Sequence, residues 1–434
     1  MAETPTRERF PSSIKFLAWN EAAERFSYYG MTSVLALYMA RHLGIPDHQA
    51  IAGFQIFTFA VYGMPIVGAL LADRFLGRYR TILWLSFGYV AGHATLAAWE
   101  SGTGLVVGLG LIAIGAGGIK PCASAFAGDQ IPPGHDALLG RLYDLYYWMI
   151  NLGSTVGTLI IPLLLDRVGP RVAFGVPGLA MAAALVVFWM GRRRYVVAPP
   201  DRAVAAATPG PPREDAADAR AALLRIVAVF APISAFWALF FQYGSAWTLQ
   251  ADAMRRDVLG VRIAAGQVQT LDAAFVLTLI PIFATVVYPA LERRGLRVTP
   301  LRKMTAGMFV MVFSFVAAAA VESALAAGGR PHVAWQIPQY LFLAVGEVLV
   351  SVTALEFAYS QAPRRMKSLV MGLWYLTIAS GSLLTAAVAW LNRFQGVAYY
   401  VFFACVMLAA AVVFALVAWW YPASTRTRAA PETA

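Results

Sequence analysis

The chain has 434 residues, 59% hydrophobic and 13% charged, with a mean hydropathy of +0.63. Soluble domains run near half apolar and a quarter charged, so these figures exclude a soluble enzyme or binding module and point to a polytopic membrane protein. At roughly 20 residues per crossing, the length suits about a dozen spans. The net charge of +11 does not call for nucleic acid. With both termini inside, most Lys and Arg fall in segments read as cytoplasmic, which is the positive-inside bias, and the basic run 192–194 abuts a span end, where lipid headgroups account for it.

In chain order, apolar windows fall at about 15–40, 50–72, 81–99, 104–127, 143–166 and 172–191. The first carries Glu21, Glu24 and Arg25 after a polar leader, unlike the unbroken apolar core of a cleaved signal, so no signal peptide is expected. Residues 192–221 are rich in Ala, Pro and charge, cannot bury enough surface to fold alone, and predict a cytoplasmic linker. Six more windows follow at about 222–250, 265–291, 302–325, 334–360, 367–392 and 397–421. The expected organisation is an all-α polytopic membrane protein of 12 transmembrane helices: a six-helix bundle over 1–191, the linker 192–221, and a second six-helix bundle over 222–434. This layout resembles the major facilitator superfamily, in which the site lies centrally where the halves meet. Phe26-Ser-Tyr-Tyr-Gly30 in the first span echoes Phe240-Phe-Gln-Tyr-Gly244 in the seventh. Cys122 and Cys405 both fall inside apolar segments and are expected as buried thiols without a disulfide.

A charge at the bilayer centre costs about 2.5 to 3.5 kcal/mol on insertion scales, so an intramembrane ionisable group is a functional candidate. The candidates are Glu21, Glu24, Arg25, Lys120, Asp272, Glu347 and Glu356. Glu21, Glu24, Arg25, Tyr28 and Thr32 recur at steps of three and four, which lines them along one side of a helix with Tyr29 beside Arg25. Two carboxylates against one guanidinium leave an excess negative charge, the chemistry of a proton switch. A static salt bridge that fixes packing is the other reading, and both stay open at this level. Lys120 lies in Gly115-Ala-Gly-Gly-Ile-Lys-Pro121, where glycines allow close backbone approach and the proline predicts a bend. If the halves are related, Lys120 in the fourth span meets Glu347 in the tenth across the pseudo-symmetry axis. Alternatively, Lys120 snorkels to the cytoplasmic interface. Glu356, nearer the cytoplasmic end, is read as structural. Asp272 has apolar neighbours and no cation before it in its span, as a titratable acid or a carboxylate hydrated in a vestibule.

Asp73, Arg74, Gly77, Arg78 and Arg80 follow the second span in Gly68-Ala-Leu-Leu-Ala-Asp-Arg-Phe-Leu-Gly-Arg-Tyr-Arg80. Charges of both signs in a short turn can latch helix ends in one state and release them in another. The string resembles the loop after the second helix in the major facilitator superfamily. More specific is Asn20-Glu-Ala-Ala-Glu-Arg-Phe-Ser-Tyr-Tyr-Gly30, which resembles the E-x-x-E-R-F-x-Y-Y-G signature of the proton-dependent oligopeptide transporter (POT/PTR) family. Gly117-Gly-Ile-Lys-Pro-Cys-Ala-Ser-Ala-Phe-Ala-Gly-Asp-Gln130 and Tyr146-Tyr-Trp-Met-Ile-Asn-Leu-Gly-Ser154 resemble two further signatures of that family. So do Phe236-Trp-Ala-Leu-Phe240, Gly244-Ser-Ala-Trp-Thr-Leu-Gln250, Gly346-Glu347 and Leu355-Glu-Phe-Ala-Tyr-Ser-Gln-Ala-Pro363 in the second half. The resemblance covers essentially the whole chain.

By that resemblance, Glu21, Glu24 and Arg25 couple proton binding to substrate, Lys120 and Glu347 form the inner gate and line the site, and Tyr29, Tyr62, Asn151 and Trp374 complete the pocket. The charge layout suits a zwitterionic peptide, with Arg25 and Lys120 for its carboxylate and Glu347 for its ammonium. The implied protein imports di- and tripeptides by proton-coupled symport and alternating access. It lies in a bacterial inner membrane with both termini cytoplasmic and works as a monomer. Protons are its coupling ion, with no other cofactor, no metal and no catalytic residue, and its partners are small peptides and lipid. Four positions depart from the family pattern: Thr32 stands where Arg is usual, Phe241 replaces an acid, Asp272 replaces an Asn, and Gln55 stands where animal members carry His. Asp272 is expected to take over part of the missing acidic role. A carrier of another amphoteric or anionic small solute is the alternative. A membrane-embedded enzyme is a further one, and it meets no H-E-x-x-H pair, only the scattered His42, His48, His93, His135 and His332.

Overall fold

The computed structural model describes residues 9–132, 134–197, 216–361 and 367–421. The expected helices form where the apolar windows lie. In the first half they are α1 (Ile14–Leu37), α2 (Asp47–Leu71), α3 (Gly77–Ala98), α4 (Gly102–Gly128), α5 (Asp136–Arg167) and α6 (Pro170–Met190). In the second half the seventh window is split into α7 (Ala216–Phe240) and α8 (Ala246–Ala253) by a 3-10 turn, Phe241–Gly244. The eighth is split into α9 (Thr270–Ile282) and α10 (Tyr288–Arg293) by a π turn, Phe283–Val287. Then come α11 (Pro300–Ala326), α12 (Ile337–Gln361), α13 (Lys367–Leu391) and α14 (Val397–Trp420).

Local chemistry sets the ends. Ser101 caps α4 by accepting from the Gly104 N–H at 3.0 Å, as a short hydroxyl at an N-cap does. Pro170 and Pro300 open α6 and α11, where a missing N–H costs nothing. The second and third windows join without a loop: α2 runs through a π turn, Ala72–Leu76, into α3, and the direction changes at Gly77, whose φ of 76° favours glycine. Helices α2, α4, α5, α6, α7 and α9 each continue through an internal proline. In the approach to α10, the Thr285 hydroxyl donates back to the Pro281 carbonyl at 2.7 Å, a local side-chain bond of the kind that bends helices. α7 begins at Ala216, within the stretch read as linker, because Ala217, Ala219, Ala221 and Ala222 are strong helix formers. The residues 198–215 of that stretch lie outside the described residues. A small ribbon, Asp257–Val258 with Val261–Arg262, follows α8 and turns on Leu259 and Gly260, both at positive φ.

Among the described residues, ten stretches are long and apolar enough to cross a membrane by length and composition. One of them, Asp47–Ala98, holds both α2 and α3, and α1 with its four charged residues (Lys15, Glu21, Glu24 and Arg25) is not among the ten. Cys122 is buried as expected, but Cys405 is exposed on α14, where an apolar surface needs no polar cover; both are free thiols.

The chain divides into two compact units, 1–34 with 63–210 and 35–62 with 211–434. In the first, α3 packs on α4 and α6. In the second, the ninth and tenth windows pair as α11 on α12, and α11 also packs on α14. The same third-on-fourth and third-on-sixth pattern therefore occurs twice. Matching glycines permit it: a Cβ on Gly92 would come within 2.6 Å of the Gly108 carbonyl, and one on Gly307 within 3.2 Å of the Gly346 carbonyl. Such small-residue contacts are how helices associate where lipid is as apolar as the side chains. At one end of the first unit, Tyr79, Phe126, Phe188 and Tyr195 form an aromatic core, with Tyr79 and Phe188 stacked at 5.4 Å. There the Gln130 amide donates to the Val196 carbonyl at 3.0 Å, and its oxygen accepts from the Val196 N–H at 2.8 Å, which clamps the chain leaving α6 to the end of α4.

Candidate functional site

In the first unit the helical spacing of α1 does what the sequence predicts. Arg25 Nε donates to Glu21 Oε1 at 2.8 Å and lies 3.3 Å from Glu24 Oε2. The two carboxylates are 3% and 1% exposed, so the cluster is enclosed by protein. Helix α5 comes this close because of Gly153, where a Cβ would stand 2.2 Å from the Ala22 carbonyl and 3.0 Å from the Arg25 Cβ. Lys120 joins the group from α4. Its ammonium lies 4.0 Å from the centroid of the Tyr28 ring, a cation–π contact, and it interacts electrostatically with Arg25, Glu24 and Glu21. Tyr29 packs edge-on to Tyr28 at 5.3 Å. α4 is continuous through Pro121, and Gly117 allows α2 to approach, since its Cβ would meet the Met64 Cβ at 2.1 Å.

Taken alone, the α1 stripe has one carboxylate in excess, whereas with Lys120 the cluster holds two acids and two cations and is balanced. A proton gained by either carboxylate leaves it net positive. Asn151, also on α5, spends an amide N–H on its own helix, donating to the Tyr147 carbonyl at 2.8 Å. Thr32, at the position where the family carries Arg, donates to the Tyr28 and Tyr29 carbonyls at 3.0 and 3.2 Å.

The second unit holds the remaining candidates. Tyr62 lies 5.2 Å from Phe241 and 6.5 Å from Tyr375, ring to ring. Trp374 is 6% exposed and packs against Phe230 and Trp237 at 5.5 and 5.7 Å. Phe241 thus sits in an aromatic wall, at the point where the seventh window unwinds. Gln55, in place of the His of animal members, donates to Ser245 Oγ at 3.2 Å with no exposure to solvent. Asp272 and Glu347 come from α9 and α12, which pack together, and Glu347 feels the charge of Asp272. Asp272 Oδ1 is enclosed and without a hydrogen bond. No Lys or Arg makes an ion pair with either carboxylate among the described residues. Tyr340, fully buried on α12, also interacts with Asp272 and was not singled out from the sequence.

Lys120 belongs to the first unit and Glu347 to the second. The turn motif has a clearer outcome: Arg78 forms a forked contact to both oxygens of Asp129, each at 2.6 Å. Asp73 lies half-buried in the π turn, Arg74 is exposed, and Gly77 is buried at the junction. Asp129 closes α4 and stands inside a string already marked as a family signature, but nothing in its sequence context pairs it with Arg78.

The chain is similar to known proteins in sequence and in fold. The sequence pattern of the POT family (PTR2) matches residues 79–210 and 207–398. "Peptide transporter family 1" of Drosophila melanogaster is 38% identical over 355 residues, covering 72% of this chain and 48% of that protein. "Solute carrier family 15 member 2" of Mus musculus is 37% identical over 389 residues, covering 79% and 53%. The chain therefore spans about half the length of these relatives. The crystal structure of the POT family transporter PepTSo superposes with a TM-score of 0.86 at 34% identity, over 95% of this chain and 98% of that one.

Proposed function

This chain belongs to the POT family, a family of multi-pass membrane transporters, and on that premise we propose that it is a proton-coupled symporter importing di- and tripeptides by alternating access. The observation that carries the proposal is the enclosed group of Glu21, Glu24, Arg25 and Lys120, balanced in charge and one proton away from being net positive. A proton on Glu24 releases part of the hold on Arg25, and the positive cluster then attracts the carboxylate of a peptide. Asp272 and Glu347, with no ion-paired cation among the described residues, suit its ammonium. Tyr29, Tyr62, Asn151 and Trp374 are assigned to the walls of the pocket, and Lys120 with Glu347 to the inner gate.

In this reading the chain has twelve spans in two six-helix halves, 1–191 and 222–434, joined by a cytoplasmic linker at 192–221. Both termini are cytoplasmic and the membrane is the bacterial inner membrane. Protons are the coupling ion, and the chain carries no catalytic site. The driving force is adequate. One charge crossing 100 mV supplies about 2.3 kcal/mol, against about 2.7 kcal/mol for hundredfold accumulation, and a pH gradient adds to it.

Uptake of labelled dialanine into liposomes under an acid-outside gradient tests the proposal. Accumulation that collapses with a protonophore is expected, and uptake indifferent to the gradient contradicts it. Phe241 and Thr32 favour a second reading, a carrier of another amphoteric or anionic solute, because an acid and a cation of the family pattern are absent there. Failure of unlabelled dipeptides to compete for uptake would select that reading.

A further inference from the structure

The second unit contains a cavity that the scheme above does not use. Its volume is about 500 Å³, the size of a small-molecule site, and every residue lining it belongs to that unit. It lies where the first, seventh, ninth and eleventh windows end, between the start of α2, the end of α8, the end of α11 and the turn that joins α13 to α14. In the orientation proposed above, that end faces outward. Solvent reaches it, since the Arg41 and Asp47 side chains in its lining are 43% and 53% exposed.

Most of the charge here is already matched. Arg41 Nη1 stands 2.8 Å from Asp47 Oδ1 and its Nε 2.9 Å from Asp252 Oδ2, while Arg256 Nη2 stands 3.2 Å from Asp252 Oδ1. Two guanidinium groups and two carboxylates therefore cancel. Glu322, near the end of α11, is left as the lining carboxylate with no ion pair among the described residues. It is half-buried, and its Oε2 accepts a hydrogen bond from the Gln250 amide at 2.8 Å. Gln250 is fixed in that direction because its own oxygen accepts from the Gln336 and Gln339 amides, each at 3.2 Å. The other oxygen of Glu322 borders the turn after α13: a Cβ on Gly396 would stand 4.0 Å from Oε1. Three aromatic rings share the lining. Tyr399 and Tyr400 lie edge-on to each other at 5.4 Å, and Phe394 is stacked on Phe402 at 4.3 Å. Tyr400 donates its hydroxyl to the Ala246 carbonyl at 3.3 Å, whereas the enclosed Tyr399 hydroxyl has no hydrogen bond.

We propose that this cavity binds a small organic ammonium, with Glu322 accepting its N–H groups and the rings of Tyr399, Tyr400 and Phe394 covering its carbon body. A carboxylate partly withdrawn from water with no cation beside it favours an incoming positive charge, and aromatic faces strengthen the hold on that charge. A bare calcium ion is a poorer fit, because it takes roughly six to eight oxygens. A purely structural Glu322 would tie α11 to Gln250 and would need no open cavity at its side. The amino terminus of a peptide and a free amine present the same group to Glu322, so either source fits. The inference goes beyond the transport scheme and depends neither on its cargo nor on its proton coupling.

Isothermal titration of the purified full-length protein tests it with two probes, benzylammonium chloride, which has no carboxylate, and dialanine. N-acetyl-dialanine, which has no ammonium, is the control. Glu322→Gln keeps an acceptor for Gln250 but removes the charge, and Ala253→Trp fills the cavity without changing any charge. At least one probe is expected to bind about tenfold more weakly in Glu322→Gln, the low end for a hydrogen bond to a charged group, with affinity regained in Glu322→Asp and lost again in Ala253→Trp. Weakening of benzylammonium supports the site with a free amine as its ligand, and weakening of dialanine alone supports it with a peptide amino terminus. Wild-type affinity for both probes in Glu322→Gln overturns the site. So does a weakening seen in Glu347→Gln and not in Glu322→Gln, which places the ammonium at α9 and α12. An equal weakening of the N-acetylated control overturns it as well, because the effect is then structural.

Discussion

The two acid-bearing regions of this molecule answer the cost of buried charge in opposite ways. Around α1, two carboxylates are matched by a guanidinium 2.8 and 3.3 Å away and by the nearby Lys120 ammonium. Around α9 and α12, Asp272 and Glu347 share one neighbourhood with no cation in ion-pair reach among the described residues. A buried charge must be paired or given up. The first region carries its partners with it, whereas the second shows none among the described residues. In the function proposed above, a proton switches the first, and the second takes its positive partner from outside, as an ammonium or as a proton.

Breaking the first region gives the largest expected effect. Glu24→Gln removes the carboxylate assigned above to proton coupling, so uptake driven by an acid-outside gradient is expected to fall by about a hundredfold or more, while counterflow stays measurable. Wild-type uptake is expected to rise as external pH falls, and in Glu24→Gln that slope is expected to be flat. A steep slope retained in the variant would move the switch elsewhere. Next comes Lys120→Gln, which leaves the cluster net negative. Truncating one side of a buried charge pair costs about 2 to 5 kcal/mol, read as a higher KM for peptides with a free carboxylate and little change for their amides.

The second region should respond by end group. Glu347→Gln is expected to weaken dipeptides with a free amino terminus about tenfold, or about 1.4 kcal/mol, and to leave N-acetylated dipeptides unaffected. Adding Asp272→Asn in a double-mutant cycle measures whether the two carboxylates act as one, since neighbours that share a partner are not additive. Independent effects would dissolve the comparison drawn above. The smallest effect belongs to Arg78→Ala. A half-exposed ion pair contributes about 0 to 1 kcal/mol, so thermal stability should drop by a degree or so on that scale while substrate affinity holds.

The fold was legible because lipid leaves helices few alternatives, and long apolar windows mark where those helices lie. What hydropathy does not show is where one window becomes two helices. Phe26–Gly30 and Phe240–Gly244 are similar strings, but the first stays inside continuous α1 and the second unwinds. The difference is tertiary: Gly30 faces the α5 backbone at Gly157, whereas Gly244 faces the Phe54 ring, where a Cβ would be 2.5 Å from Cζ. The α1 stripe was legible because its members lie within one helix, at fixed spacing. Lys120 beside Tyr28, Asp129 under Arg78 and Tyr340 beside Asp272 were not, since each partner comes from a different helix and no sequence period links them. The Cys405 thiol was expected inside because apolar character alone does not separate a lipid-facing side from a protein-facing one.

The Gln130 clamp has a mechanical meaning. Its paired bonds to Val196 tie the chain emerging from α6 to the tail of α4, the helix that bears Lys120. Tension applied through the segment that follows is therefore felt first by α4, and a single-molecule pulling trace should show a small early rupture that vanishes in Gln130→Ala. An anchor or reporter grafted onto that segment would tug on the lysine's own helix before it disturbed the one to which it is covalently closer.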